Sequence, residues 1–402
     1  SMGARIFYGQ RAENILPGTD LVVYTAAIKE DNPEFAAAKE AGIPMLSRAE
    51  LLGQIMDNYR QSVAVAGTHG KTTTTSLLGE IMKNYAQSSF VVGNIGNPYT
   101  SIALQTREDS VIVAEMSSFQ LETIQTFRPR VSAILNITPD HLNRHHTMEG
   151  YAAAKERIFL NQDKGDYAVL NYDDERVRAM AGDMTGTVVY FSTCGEVPEG
   201  AFYQDGQLIL RLQGRDTVVC AETDLHLFGK HNIQNCLAAI LLTYAAGAPL
   251  DVIRQVLKEF KGVEHRLEKV RTLHGVTYYN DSKGTNVDAS MKALEAFPQG
   301  HLILIAGGYD KMTPTERTAL QLPFINTGLM VNELVNLDYE ATNNLIRVHE
   351  KPGARKDRYS SVSYNYYIAM QVERSMAKNY AKTKKIEINF RAPARRRGTF
   401  DY

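Results

Sequence analysis

Residues 63–76 read VAVAGTHGKTTTTS. Small and apolar residues run into one glycine, then a second glycine followed by lysine and four threonines. This predicts a buried strand, a tight turn over Gly67–Lys71, and a helix from residue 71. Glycine permits the dihedrals of such a turn and lets an anion approach the backbone, so the turn's N–H groups are expected to point inward. The helix adds the positive end of its dipole at the same place. Lys71 is then placed for the β- and γ-phosphates of a nucleotide, and the Thr72 hydroxyl for Mg²⁺. The common eight-residue nucleotide loop has glycine where this chain has Val65, so the fit is to a shorter Gly-x-x-Gly-Lys-Thr form. The alternative is a Gly/Thr-rich loop that binds nothing, and its place between strand and helix argues against that.

The rest of the chain reads as strands alternating with helices. Apolar strand runs occur at 21–25, 63–66, 111–114, 131–136, 167–171 and 187–192, and helical patterns at 34–41, 48–58, 71–84, 150–161 and 174–181. That alternation implies an α/β fold with a mainly parallel sheet covered on both faces. Residues 205–220 suit an antiparallel ribbon, 232–259 two helices broken at Gly247-Ala248-Pro249, and a new strand-helix-strand unit begins at 276.

A length of 402 residues allows two or three domains, each with its own core. Cys194, Cys220 and Cys236 are too few and too scattered for a disulfide framework or a metal cluster, and no apolar run is long enough to span a membrane. A cytoplasmic monomer is the expectation. Charge is uneven. Residues 324–402 carry 14 Lys and Arg against 8 Asp and Glu, leaving 30 basic and 37 acidic residues on the other 323. Such a shift marks a boundary or a different ancestry.

That loop and seven further stretches carry a resemblance. GTHGKTTTTS, VVGNIGNP, EMSSFQLE, LNITPDHLNRH, YAAAKERIF, GKHNIQN, EHRLE and NDSKGTN stand in the order found in Mur ligases, the ATP-dependent amino-acid-adding enzymes of peptidoglycan synthesis. The match is most similar to the D-glutamate-adding branch. It implies a parallel-sheet, P-loop-type central domain at 61–262. A truncated Rossmann-like UDP-substrate domain at 1–60 and the start of a Rossmann-like amino-acid domain at 263–312 would flank it. It also implies an acyl-phosphate route, with ATP and Mg²⁺ as cofactors and UDP-N-acetylmuramoyl-L-alanine and D-glutamate as substrates. Both partners of the first step are anions, so cations must offset their repulsion.

The resemblance also assigns residues. Gly67, Thr68, His69, Gly70, Lys71, Thr72 and Thr73 would hold the triphosphate. Glu115, with Thr72, would hold Mg²⁺; His141 matches a histidine near a second metal ion. Lys155 matches a lysine that reacts with CO2 to give a carbamate able to support that metal. Asn94 would lie near phosphate and metal, Asn232 and Asn235 against the nucleotide, and Arg266 against the phosphates. Ser117, Ser118, Gln120 and His265 would face substrate, and Asp281 the ribose or a metal-bound water. Lys283, Thr285 and Lys311 would meet the incoming amino acid or the acyl phosphate.

Three stretches depart from that pattern. The opening SMGARIFYGQRAENI resembles the second strand of the family's first domain rather than its first. Residues 20–76, His69 included, are more similar to the L-alanine-adding branch, which keeps that reaction as an alternative. A catalytically incomplete ATP-binding chimera is a further alternative. Residues 313–402 do not continue the third domain; part of this basic tail is similar to the end of the nuclease domain of phage large terminases. Arg395-Arg396-Arg397 would suit nucleic-acid phosphates or simply a solvated terminus.

Overall fold

The computed structural model describes residues 4–284 apart from 96, 97, 228 and 274, together with 290, 293, 294, 296, 297, 304, 305, 337–342 and 345–350. The chain divides into two compact units, residues 1–300 and 301–402. In the first, β1 (Val22–Tyr24), α1 (Pro33–Glu40), β2 (Met45–Ser47) and α2 (Arg48–Met56) precede the glycine turn. Next come β3 (Gln61–Ala66), α3 (Lys71–Tyr85), β4 (Ser89–Gly93), α4 (Tyr99–Ile102), β5 (Val111–Glu115) and α5 (Ser118–Leu121). These are followed by β6 (Val131–Ile134), α6 (Leu142–His145), α7 (Met148–Glu156), β7 (Tyr167–Asn171), α8 (Glu175–Ala179) and β8 (Thr187–Ser192). A meander of β9 (Gly200–Gln204), β10 (Gln207–Leu212) and β11 (Arg215–Ala221) leads to α9 (Lys230–Ala245), α10 (Leu250–Glu259), β12 (Glu268–Leu273) and β13 (Val276–Asn280). In the second unit, β14 (Leu337–Thr342) and β15 (Leu345–Glu350) pair as an antiparallel hairpin.

Nine strands form one sheet in the order β11-β10-β9-β8-β7-β6-β3-β5-β4. β3 to β9 pair in parallel, and only β9-β10-β11 are antiparallel. Successive side chains of a strand point to opposite faces, and here both faces are dry. Val63, Val65, Val111 and Val113 pack under α3, α9 and α10, whereas Ala64, Ala66, Ile112 and Ala114 pack under α2, α7 and α8. The small alanines on the second face let the helices approach closely. β1 and β2 form a separate parallel pair.

Several expectations change. Residues 4–10 form no strand: Ile6 and Tyr8 are 74% and 90% exposed, so the stretch buries no apolar face. The run at 131–136 leaves the sheet at Ile134, because Leu135 and Asn136 turn to meet the glycine loop. The unit expected from 276 instead begins one strand earlier, and β12 and β13 are antiparallel. Its helix and second strand lie largely outside the described residues, as does the tail beyond β15. Among the described residues no helix is long and apolar enough to cross a membrane. The three cysteines are free.

Glu50 ties α2 to the sheet domain. It is buried, and it accepts from the Thr126 hydroxyl at 2.6 Å and the backbone N–H groups of Gln125 and Thr126 at 2.6 and 3.1 Å. Burial alone would raise its pKa, but the bonds from Thr126 and Gln125 outweigh that and hold it below its ordinary 4.5. A depressed carboxylate contributes its stability above the unfolded pKa and loses it as pH falls through the folded value. Glu50→Gln should cost about 1–3 kcal/mol near neutral pH by leaving buried donors poorly matched. It should also flatten the acid limb of a urea-unfolding series, where the parent chain weakens below about pH 4.5.

Candidate active site

The expected site residues from the central sheet stand at the carboxyl ends of β3, β4, β5 and β6, where the connection from β5 to β6 crosses behind β3. Open parallel sheets bind ligands at such a reversal. Gly67 leaves β3 at φ 150°, with Leu135 and Asn136 packed where a Cβ would sit. Gly70 caps α3 at φ 80°, and Asn235 occupies the space a side chain there would need.

The loop's amides are divided between two tasks. Thr68 N–H donates to the Asn136 carbonyl at 2.9 Å and its Oδ1 at 3.1 Å, and His69 N–H donates to the same Oδ1 at 2.8 Å. Asn136 Nδ2 returns a bond to the His69 carbonyl at 3.2 Å. The expectation that every N–H of Gly67–Lys71 points inward is therefore corrected: those of 68 and 69 are consumed by Asn136. The donors left over belong to α3. Its first internal bond is Thr74 N–H to Gly70 at 2.9 Å, and no side chain caps it, so the first-turn N–H groups at Lys71, Thr72 and Thr73 remain for an anion.

Lys71 Nζ donates to the carbonyls of Gly67 and Thr68 at 2.7 and 2.8 Å, which leaves one of its three protons for a ligand. Lys155, only 1% exposed, donates to the same Gly67 carbonyl at 2.8 Å and lies 4.6 Å from the Tyr151 ring centre. Desolvation lowers the pKa of Lys71, against the pull of Glu115 and Asp140. Desolvation and the neighbouring Lys71 hold Lys155 well below its ordinary 10.5. The Tyr151 hydroxyl contacts Thr68 Oγ1 at 3.2 Å, and burial pushes its pKa up to about 12.

Glu115 ends β5 and is 2% exposed. Thr72 Oγ1 donates to its Oε2 at 3.1 Å, and Asn94 Nδ2 to its Oε1 at 3.1 Å. A buried carboxylate held only by neutral donors has room for a cation. His141 precedes α6 at φ 53° and meets Phe119 edge-on, with ring centres 4.9 Å apart; its ring and Lys155 both lie against Tyr151. Among the described residues no three His, Cys, Asp or Glu converge into a metal-binding group.

Asn232 and Asn235, both buried on α9, bond to each other at 3.0 Å, and Thr74 donates to Asn235 at 3.3 Å. With His69, Gly70, Arg266 and Asp281 they line one cavity. Among the described residues, the buried Arg266 Nε has no hydrogen-bond partner, an arrangement that suits an anion. His265 stands at φ 66°; its N–H donates to Glu268 at 2.7 Å and its Nδ1 meets Asn280 at 2.8 Å. Leu267 N–H donates to Asp281, whose pKa burial raises, and Lys283 N–H reaches the His265 carbonyl at 3.0 Å. Ser117 and Gln120 close a capping box on α5, and Ser118 is buried against His145. Thr285 and Lys311 lie outside the described residues. Asn136, Tyr151 and His145 were not singled out from sequence, although all three fall inside or beside motifs quoted above.

Residues 65–243 match the Mur ligase middle domain, and residues 1–60 the Mur ligase family catalytic domain. The UDP-N-acetylmuramoylalanine–D-glutamate ligase of Lachnoclostridium phytofermentans is 48% identical over 76% of this chain and 67% of its own length. The chain belongs to the Mur ligase family. The equivalent ligase of Lachnospira eligens is 50% identical over 77% of this chain and 68% of its own length, so the chain spans about two thirds of these relatives. Among solved structures, UDP-N-acetylmuramate–alanine ligase MurC of Thermotoga maritima shares the fold. It is 24% identical with a TM-score of 0.50, covering 73% of this chain and 67% of that one.

Two outcomes are expected. Asn136→Ala removes three loop-bracing bonds, so affinity for a non-hydrolysable ATP analogue in calorimetry should fall about tenfold or more. Lys155→Met removes a buried amine whose folded pKa lies below its unfolded one. That penalty is full below the folded pKa and fades as pH rises toward 10.5. The variant should therefore unfold at equal or higher urea at neutral pH, and its advantage should shrink under alkaline conditions.

Proposed function

We propose that this chain is an ATP-dependent ligase of Mur type that joins D-glutamate to UDP-N-acetylmuramoyl-L-alanine, through an acyl phosphate, in peptidoglycan synthesis. The observation that carries this reading is the uncapped start of α3 with Lys71 beside it, facing a buried Glu115 that Thr72 and Asn94 hold. The relatives at 48% and 50% identity supply the substrate pair.

The residues present fit ATP and Mg²⁺. Glu115 and Thr72 would hold the ion, with phosphate oxygens and waters completing its shell; bound there it would neutralise charge between the phosphates and the carboxylate. The amides at 71–73 cradle the triphosphate, and Lys71 offsets its charge. Asn232, Asn235 and Arg266 border the cavity and orient the nucleotide. His141 and Lys155 flank Tyr151 next to the loop. Desolvation and the neighbouring Lys71 disfavour the charged form of Lys155; addition of CO2 to its nitrogen, with loss of a proton to solvent, would replace that disfavoured cation with an anionic carbamate.

In this proposal, Lys283 and Asp281 serve the amino-acid side, residues 1–60 the UDP substrate, 61–262 the nucleotide and 263–312 the amino acid. Ser117, Ser118 and Gln120 shape the acceptor side through the short helix they cap.

A coupled ADP-release assay tests the function. Turnover should require UDP-N-acetylmuramoyl-L-alanine and D-glutamate together. Turnover with L-alanine and UDP-N-acetylmuramate would instead assign the L-alanine-adding reaction, and ATP binding without any turnover would leave a nucleotide-binding protein alone. In ¹³C-bicarbonate, a carbamate resonance should appear and be absent from Lys155→Arg.

A further inference from the structure

The single turn α6 does not hold itself. His141 and His146 bracket it at φ 53° and 65°, left-handed conformations that residues bearing a Cβ disfavour. No side chain caps the turn, and one isolated turn of helix is unstable in water. Something outside must keep His141 in place.

The anchor is Glu122, one residue past α5. Its Oε2 accepts from Arg144 Nε at 3.0 Å and Nη2 at 2.6 Å. Its Oε1 faces His145 Nδ1 at 3.1 Å. A carboxylate only accepts, so His145 donates from Nδ1 and its Nε2 takes the Ser118 hydroxyl proton's bond at 2.9 Å. Burial lowers the His145 pKa, with Glu122 opposing, which suits that neutral tautomer. The Arg144 guanidinium lies 4.4 Å from the Phe119 ring centre, and Phe119 meets His141 edge-on at 4.9 Å and His145 at a tilt at 5.6 Å. Arg144 Nη1 also reaches the Ala26 carbonyl at 3.2 Å, just after β1. An exposed ion pair is worth little, but here one carboxylate binds two successive residues of α6, and the histidine is buried.

We propose that Glu122 is a positioning residue for His141: by clamping Arg144 and His145 it locks α6, and with it the left-handed backbone at 141. The inference rests on the reading that His141, beside Tyr151 and the loop, serves the proposed ligase reaction near a second metal ion, as the family resemblance implies.

The test compares Glu122→Ala, Glu122→Gln, His141→Ala and the Glu122→Ala/His141→Ala double variant in the full chain. ADP-release kinetics, the imidazole NMR resonance of His141 (identified by its loss in His141→Ala) and thermal unfolding are read together. Glu122→Ala should lower kcat about 100-fold, the scale of an ångström-sized misplacement, with KM for ATP nearly unchanged. Glu122→Gln, which still accepts from Arg144, should lose about tenfold in kcat and carries the test should the alanine variant not fold. Both should shift the His141 resonance, and the double variant should be no slower than His141→Ala alone, the non-additivity of a shared network. Wild-type kcat and an unmoved resonance in the Glu122 variants would overturn the inference. A crippled His141→Ala beside normal Glu122 variants sinks the clamp alone; a fully active His141→Ala removes the reading of His141 and the clamp with it.

Discussion

Two lysine ammonium groups donate to one carbonyl oxygen, that of Gly67, from Lys71 at 2.7 Å and Lys155 at 2.8 Å. Three elements meet at that atom: β3 delivers the carbonyl, α3 supplies Lys71 and α7 supplies Lys155. Desolvation lowers both pKa values, and the neighbouring Lys71 lowers that of Lys155 further. The fold keeps them together because its core fixes both helices. The site is therefore short of negative charge, and that shortage is the electrostatic basis for taking up a polyanion.

Much of this was legible in the sequence where the information is local. A strand that alternates Val with Ala on its two faces, a turn that needs positive φ at Gly70, and a lysine opening a helix all lie within about one dozen residues. The site residues those features imply do assemble around the loop. What stayed hidden depends on distant partners. Asn136 has the same chemistry as any loop asparagine until β6 sets it beside Thr68 and His69. β12 was missed because its middle residues are exposed and give no apolar alternation, so only pairing with β13 makes it a strand. The opening stretch was expected as a strand from its family resemblance, yet residues 4–10 of it form no ladder.

Family membership and geometry constrain different things. The relatives name a reaction, while the sheet explains why the candidate site lies at one end of it. The anion donors, the carboxylate and the histidine all arrive from carboxyl ends of parallel strands around the reversal at β3. A loop there inherits its precision from the strands beneath it. That is why Glu115, in register with Val65 and Gly93, can sit within a hydrogen bond of both Thr72 and Asn94.

The contact between Thr74 and Asn235 spans 161 residues of chain. Gly70 packs against the same asparagine, so the nucleotide loop reaches its final shape only when α9 has docked on α3. Closing so long a loop is slow compared with forming the strand and helix on either side of the turn. On a translating ribosome, the glycine loop emerges long before this wall. It is left to wait for 161 further residues before the asparagine that shapes it exists.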